Sequence, residues 1–168
     1  MYNAMKKLGL MTVVSLCAGL IMVIGTSALS EQPDPRFTDN GDGTVTDNMT
    51  GLIWMKNVGC DGSKLWADAL DFCENLADGS CGLSDGSKAG DWRLPSLREL
   101  QNLIDYRRSN PALPAGHPFT GVESAWCWSS TIHPNRPTFS WYVVFATGTV
   151  SNADKRHDYE VWCVRGGK

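Results

Sequence analysis

Residues 91–100 read DWRLPSLREL, and this stretch decides where a helix begins. Ser96 and Glu99 have the spacing of a capping box, in which each side chain bonds the backbone N–H of the other residue. Leu97 and Leu100 then begin an apolar stripe at helical spacing that runs to Ile104. The pattern predicts a helix from Ser96. It also predicts a structural rather than catalytic role for the following residues: Trp92, Arg93, Pro95, Ser96 and Glu99.

One more helix is predicted upstream of this stretch, over residues 65–77. Its apolar side chains recur every 3.6 residues, and acidic residues occupy the other faces. Between residues 36 and 55, short strand-like pieces flank Asn-Gly-Asp-Gly at 40–43, a sequence that favours a hairpin turn. The same residues match an EF-hand calcium loop at its third and fifth positions but not at its first and twelfth. We therefore predict turns and no metal site.

The second half of the chain has the composition of a sheet. Aromatic and β-branched residues predict strands at 125–130, 140–146, 149–151 and 159–164. Two helices followed by a run of strands indicate an α+β fold, in which the helices pack on a small, mostly antiparallel twisted sheet with long loops. The seven Trp residues are expected to supply much of the apolar core.

Length and charge limit the class of protein. A chain of 168 residues with 42% hydrophobic and 20% charged side chains is long enough for one globular domain and too apolar for a disordered chain. The formal charge of the whole chain is −3. Lys6 and Lys7 lie in an N-terminal segment with the pattern of a cleaved leader, and without them 13 basic residues face 18 acidic ones, a charge of −5. We therefore expect no nucleic-acid partner and only weak attraction to anionic lipid.

The N-terminus has the pattern of a secretory signal peptide. Two lysines precede an apolar run over residues 8–24, and small residues follow it. We predict a signal peptide over residues 1–28, a linker over 29–35 and one domain over 36–168. The alternative is an uncleaved anchor, which would be the chain's one membrane contact. In both cases the domain is expected outside the cytoplasm, in the periplasm, on the cell surface or secreted.

Five cysteines follow the predicted cleavage point: Cys60, Cys73, Cys81, Cys127 and Cys163. An oxidising compartment favours disulfides, and the chain has no Cys-x-x-Cys pair of the kind found in zinc knuckles and thioredoxin-type centres. We predict a Cys127–Cys163 bridge, because both residues lie in aromatic, strand-like segments. Cys73 would pair with Cys60 or with Cys81, and one thiol would remain.

Five stretches carry a resemblance to a known family. They are FTDNGDGTVTDNMTGLIWMK at 37–56, WADAL at 66–70, DWRLPSLREL at 91–100, WCWSST at 126–131 and VWCVRGG at 161–167. Together they are similar to the C-terminal domain family of the Legionella collagen-like protein. The resemblance implies a C-type-lectin-like fold, through similarity to the formylglycine-generating enzymes. It also implies a role in adhesion and in binding sulfated polysaccharides.

Two loops, 131–138 and 152–158, carry the candidate ligand-binding residues. They are expected to meet at one end of the sheet, beside an aromatic side chain. The residues that would contact a ligand are His133, Asn135, Arg136, Lys155, Arg156, His157, Asp158, Trp128 and Trp141. Arginine donors and aromatic faces are common in recognition surfaces. We predict no metal and no cofactor here, because the His-Pro-Asn at 133–135 lacks the carboxylate of a lectin calcium motif.

Three classes of function are compatible with these observations. The first is a lectin-like binding module for adhesion or envelope interaction, with an extracellular glycan or an envelope protein as partner. The second is an oxidoreductase related to the formylglycine-generating enzymes, with Cys127 and Cys163 as its metal-binding thiols. The third is a structural envelope domain without a small ligand. No Ser-His-Asp order and no nucleophile elbow is visible, so the pattern favours the binding module over an enzyme.

Overall fold

The computed structural model describes residues 35–166, which form two helices and two antiparallel sheets. The helices are α1 (Trp66–Asn75) and α2 (Leu97–Leu103). The first sheet has the order β1-β2-β3-β7, with β1 at Phe37–Asp39, β2 at Thr44–Asp47, β3 at Ile53–Met55 and β7 at Val164–Arg165. The second has the order β4-β5-β6, with β4 at Trp126–Ile132, β5 at Phe139–Val144 and β6 at Thr149–Asp154.

The α+β prediction is confirmed, with two small sheets where one was expected. Helix α2 packs against β4 and β5, and α1 packs against β4. The C-type-lectin-like assignment stays a prediction. The predicted signal peptide and nearly all of the predicted linker lie outside the described residues. Within residues 35–166, no helix is both long enough and apolar enough to cross a bilayer.

The Asn-Gly-Asp-Gly sequence at 40–43 forms the predicted turn between β1 and β2. Asp42 Oδ1 accepts hydrogen bonds from the backbone N–H of Thr44 at 3.0 Å and from its hydroxyl at 2.6 Å, so this carboxylate is committed to the turn. Gly43 has a φ of +85°, and a Cβ built there would collide with the carbonyl oxygen of Gly82. Glycine is therefore required at this position both by its backbone conformation and by the close approach of a neighbouring loop.

The stretch at 91–100 has the local structure that its sequence predicts. Ser96 Oγ accepts from the Glu99 N–H at 3.3 Å, and Glu99 Oε2 accepts from the Ser96 N–H at 2.7 Å, so the capping box is complete. Arg93 donates to both Glu99 carboxylate oxygens, at 2.9 and 2.6 Å, and to the carbonyl of Gly166 at 3.1 Å. Trp92 is buried in the core, and the Arg165 guanidinium of β7 lies over its ring at 5.2 Å. The segment therefore ties the start of α2 to the C-terminal strand.

Replacing Glu99 with Gln is expected to weaken the fold at neutral pH and to reduce its acid sensitivity. Burial raises the pKa of Glu99, but the hydrogen bonds from Arg93 and Ser96 outweigh it, so the folded-state pKa lies below the ordinary value of 4.5. The carboxylate therefore stabilises the fold above about pH 4.5, and this contribution is lost as the pH falls towards the lower, folded-state pKa. We expect a loss of about 1–3 kcal/mol in unfolding free energy at pH 7.

Urea titrations at pH 7, 5 and 3.5 measure this effect, with the exposed Glu123→Gln as the matched control. The difference in unfolding free energy between the natural protein and Glu99→Gln should shrink as the pH falls. A difference that stays constant across this range would show that the Glu99 charge does not contribute.

The C-terminal segment departs from the prediction. A strand was expected over residues 159–164 in the same sheet as the other late strands, but β7 contains only Val164–Arg165 and pairs with β3 in the first sheet. Before β7 the chain runs between the two sheets: the Glu160 N–H donates to the Trp126 carbonyl at 2.9 Å, and the Cys163 carbonyl accepts from the Met55 N–H at 3.0 Å. The segment joins the two sheets, which aromatic composition alone does not reveal.

The predicted disulfide pairing was wrong. The bridges are Cys60–Cys81 and Cys73–Cys163, and Cys127 is a free, buried thiol. The residue beside Cys127 in the C-terminal segment is Glu160, whereas Cys163 lies three residues further on, against α1. Both bridges join segments far apart in sequence, and two disulfides indicate an oxidising environment outside the cytoplasm.

Candidate functional site

The loops at 131–138 and 152–158 lie side by side, as expected. Phe139 at the start of β5 pairs with Asp154 at the end of β6, so the turn before β5 and the segment after β6 emerge at the same end of the second sheet. The backbone N–H of Lys155 donates to a carbonyl of the first loop at 2.9 Å and extends this pairing.

Four residues at this end form a layered surface that we call the Trp141 cluster: His133, Arg136, Trp141 and Asn152. The His133 ring stacks on the Trp141 indole, with centroids 5.2 Å apart and an interplanar angle of 16°. Arg136 Nη2 donates to Asn152 Oδ1 at 2.6 Å and lies 3.4 Å from His133 Nε2. The guanidinium also covers the Phe139 ring at 4.5 Å. Arg136 is exposed and the two stacked rings are half-buried, so the cluster is ordered by its own contacts and open to solvent.

The Trp141 cluster offers both hydrogen-bond donors and aromatic surface. Within residues 35–166, the hydrogen bonds of the Arg136 side chain use Nη2 alone, which leaves its Nε and Nη1 groups without a protein partner. Planar guanidinium N–H groups bind carboxylate or sulfate oxygens in pairs. Aromatic side chains with a few convergent polar groups are typical of small-ligand sites.

The other predicted cations have different partners. Arg156 binds both oxygens of Asp154, at 2.8 and 2.9 Å, and this hydrogen bonding lowers the pKa of Asp154 to about 2. Lys155 Nζ lies 3.9 Å from the ring centroid of Trp66 in α1, and the His157 ring stacks on Tyr159 at 6.1 Å.

The predicted set is therefore divided between two surfaces. Successive residues of a strand point to opposite faces. Trp141 and Asn152 are register partners and share one face, whereas Lys155 and His157, in the turn after β6, contact the rings of Trp66 and Tyr159 instead. Asn135 and Asp158 are exposed, and the backbone N–H of Asn135 donates to His133 Nδ1 at 3.3 Å.

Trp128 was wrongly included among the ligand-binding residues. Its side chain is fully buried, and its indole N–H donates to the Lys64 carbonyl at 3.0 Å. Trp126, two residues earlier on the same face, is 42% exposed and stacks on Tyr142, with centroids 5.5 Å apart. Period-two alternation identifies the shared face of the two tryptophans, but only the packing of the 64–66 and 159 segments decides which of them is covered.

Open clefts lie away from the Trp141 cluster. Two clefts, with volumes of about 320 and 490 Å³, lie along the segment from Ile104 to His117, and Arg107 lines both of them. Arg107 is bonded to Asp105 at 2.9 and 3.1 Å, and the neighbouring Tyr106 is exposed. Sequence reasoning did not select this segment as a site. Because the clefts are shallow and their best-exposed cation is already paired, the chemistry of the Trp141 cluster is the stronger basis for a binding site.

Comparison with protein families agrees with the sequence resemblance. The profile of the Lcl C-terminal domain matches residues 43–165, which is most of the chain and includes both helices and all strands except β1. The chain belongs to the Lcl C-terminal domain family. No curated protein matches it significantly.

The thiol pair that an oxidoreductase reading requires is not formed in this Lcl C-terminal domain. Cys163 is bonded to Cys73, and the remaining thiol, Cys127, is completely buried. Burial raises the pKa of the Cys127 thiol well above its ordinary value, so the reactive thiolate is disfavoured. Among residues 35–166, no group of three or more His, Cys, Asp or Glu side chains is close enough to hold a metal ion.

Proposed function

We propose that this domain is an extracytoplasmic binding module that recognises a glycan through the Trp141 cluster, in adhesion or envelope interaction. The observation that carries the proposal is the stack of His133 on Trp141 beside an exposed Arg136 with unused N–H groups. Family membership and the two disulfides support a location in the periplasm, on the cell surface or in the medium.

Arg136 determines which glycans are favoured. Arg156 is paired with the carboxylate of Asp154. Among residues 35–166 neither Lys155 nor Arg136 has an acidic partner, but Lys155 lies over Trp66, so Arg136 is the unpaired cation beside Trp141. A guanidinium with free N–H groups favours a sugar that carries a carboxylate or a sulfate. The aromatic layer beside it would contact the apolar face of the same sugar.

Replacing Arg136 or Trp141 with Ala is expected to weaken glycan binding at least about tenfold, equivalent to about 1.4 kcal/mol. A glycan array first identifies the ligand, and biolayer interferometry then gives Kd values for the best-binding glycan. Binding of the natural protein should weaken between 50 and 200 mM salt, because an ionic contact is screened.

Matched controls are available on the segment that lines the clefts. Arg107 forms the same local pair with Asp105 that Arg156 forms with Asp154, and Tyr106 is an exposed aromatic residue. Arg107→Ala and Tyr106→Ala should leave Kd unchanged. Equal binding by Arg136→Ala and the natural protein would show that the Trp141 cluster is not the site. A blank array combined with specific capture of an envelope protein would favour the protein partner instead.

A further inference from the structure

The two disulfides differ sharply in their access to solvent. Cys73 and Cys163 are both fully buried, between α1 and the segment that leads into β7. Cys60 and Cys81 are half-buried and join two surface segments, 57–65 and 79–90. Thiol–disulfide exchange requires a thiolate to reach one sulfur of the bridge, so exposure governs which bridge reacts.

A cleft leads to the half-buried bridge. It has a volume of about 330 Å³, and Cys81 lies in its wall together with Gly43, Gly82 and Lys56. Cys60 does not line this cleft; its sulfur lies 3.9 Å from the sulfur of Met55. An attacking thiolate would therefore meet Cys81 first, and Cys60 would be the leaving group.

The loop around Cys81 has other anchors in the fold. The side chain of Asp85 is fully buried and forms an ion pair with Arg165 of β7 at 3.2 Å. Ser87 Oγ accepts from the Trp92 indole N–H at 2.9 Å, and the Ser84 N–H donates to the Asp42 carbonyl at 2.9 Å. The other segment is anchored as well, because the Val58 N–H donates to the Thr120 carbonyl at 2.9 Å and Lys64 pairs with Tyr159, so opening the bridge would leave both segments attached to the fold.

We propose that Cys60–Cys81 is a site of reversible thiol–disulfide exchange with a dithiol protein, while Cys73–Cys163 stays oxidised in the folded domain. A thiolate of the partner attacks Cys81 Sγ, the bond between the two sulfurs breaks, and Cys60 leaves as a thiolate that takes up a proton. The second thiol of the partner then displaces Cys81, so the partner is oxidised to a disulfide and this bridge is reduced to two thiols. The proposal does not depend on glycan binding.

Graded reduction of the native protein with dithiothreitol tests the proposal. After each step the free thiols are alkylated with iodoacetamide, and peptide mass spectrometry gives the extent of labelling at each cysteine. We expect Cys60 and Cys81 to be labelled at least tenfold faster than Cys73 and Cys163, with unchanged near-ultraviolet circular dichroism. Labelling of all four at one rate, or only together with loss of the dichroism signal, would overturn the proposal.

Two internal controls sharpen the experiment. Cys127 is buried and unpaired, so its labelling reports unfolding and should stay absent while Cys60 and Cys81 react. The Cys60→Ser, Cys81→Ser double variant should fold with the near-ultraviolet spectrum of the natural protein and should show no labelling of Cys73 or Cys163 under the same conditions. A double variant that does not fold would contradict the claim that the other anchors hold the loop.

Discussion

Replacing both Cys73 and Cys163 with Ala is expected to bring the domain close to unfolding. The bridge spans 90 residues of sequence, and in the chain-entropy description its removal costs about 4.6 kcal/mol. Both cysteines are fully buried, so the smaller alanine side chains also leave unfilled space. A domain of this size has a total stability of about 5–15 kcal/mol, so the loss is a large part of it.

Urea unfolding followed by tryptophan fluorescence measures this effect. The matched variant, Cys60→Ala with Cys81→Ala, removes a bridge that spans 21 residues and is expected to cost about 3.3 kcal/mol. Cys127→Ala keeps both bridges, so it measures the loss of stability that comes only from shortening one buried cysteine side chain. If the Cys60–Cys81 variant proves to be the less stable of the two double variants, burial and loop length do not determine which bridge stabilises the fold more.

The parts of the fold that sequence predicts well are those set by neighbouring residues. The capping box needs only Ser96 and Glu99 three positions apart, and the turn at 40–43 needs only its own asparagine, aspartate and glycines. Helix α1 ends at Asn75, two residues earlier than its apolar pattern indicates, because the backbone of Leu76 is already extended. Local patterns therefore located both helices and the hairpins within a few residues.

The parts that sequence does not predict depend on partners far along the chain. The pairing of Val164 with Trp54 in β3, and of Cys163 with Cys73, is decided by where the C-terminal segment runs between the two sheets. An extended aromatic segment fits either sheet equally well by composition, so the wrong sheet led to the wrong disulfide. One correct long-range contact would have corrected both predictions.

The sequence predicted where the candidate site lies in the fold, but not which side chains form it. The two loops meet because β5 and β6 are antiparallel, so the turn before β5 and the segment after β6 lie at the same end of the sheet. Period-two alternation gives the shared face of Trp141 and Asn152, but Arg136 and Lys155 lie in turns outside the strands, so only the folded structure separates them. The exclusion of Trp128 and the exposure of Trp126 required the three-dimensional packing, because both tryptophans lie on one face of β4.

Trp162→Ala is expected to be the most destabilising single substitution in the core, with a loss of about 3–5 kcal/mol in unfolding free energy. Trp162 is fully buried, and its ring lies 5.2 Å from Trp54 of β3, 4.8 Å from Phe119 and 5.0 Å from Phe145 beyond β5. It therefore fills the space between the two sheets. Its indole N–H also donates to the Met55 carbonyl at 2.8 Å, so truncation leaves that carbonyl unpaired.

Two further variants separate volume from hydrogen bonding in this prediction. Trp162→Phe keeps an aromatic ring but loses the indole donor, and we expect it to cost about 1–3 kcal/mol, the penalty for an unsatisfied buried group. Trp126→Ala removes a tryptophan that is 42% exposed and should cost less than Trp162→Ala. Urea midpoints and slopes give all three values. Equal losses for Trp162→Ala and Trp126→Ala would mean that aromatic packing between the two sheets does not limit stability, because of these two side chains it is Trp162 that contacts rings from both sheets.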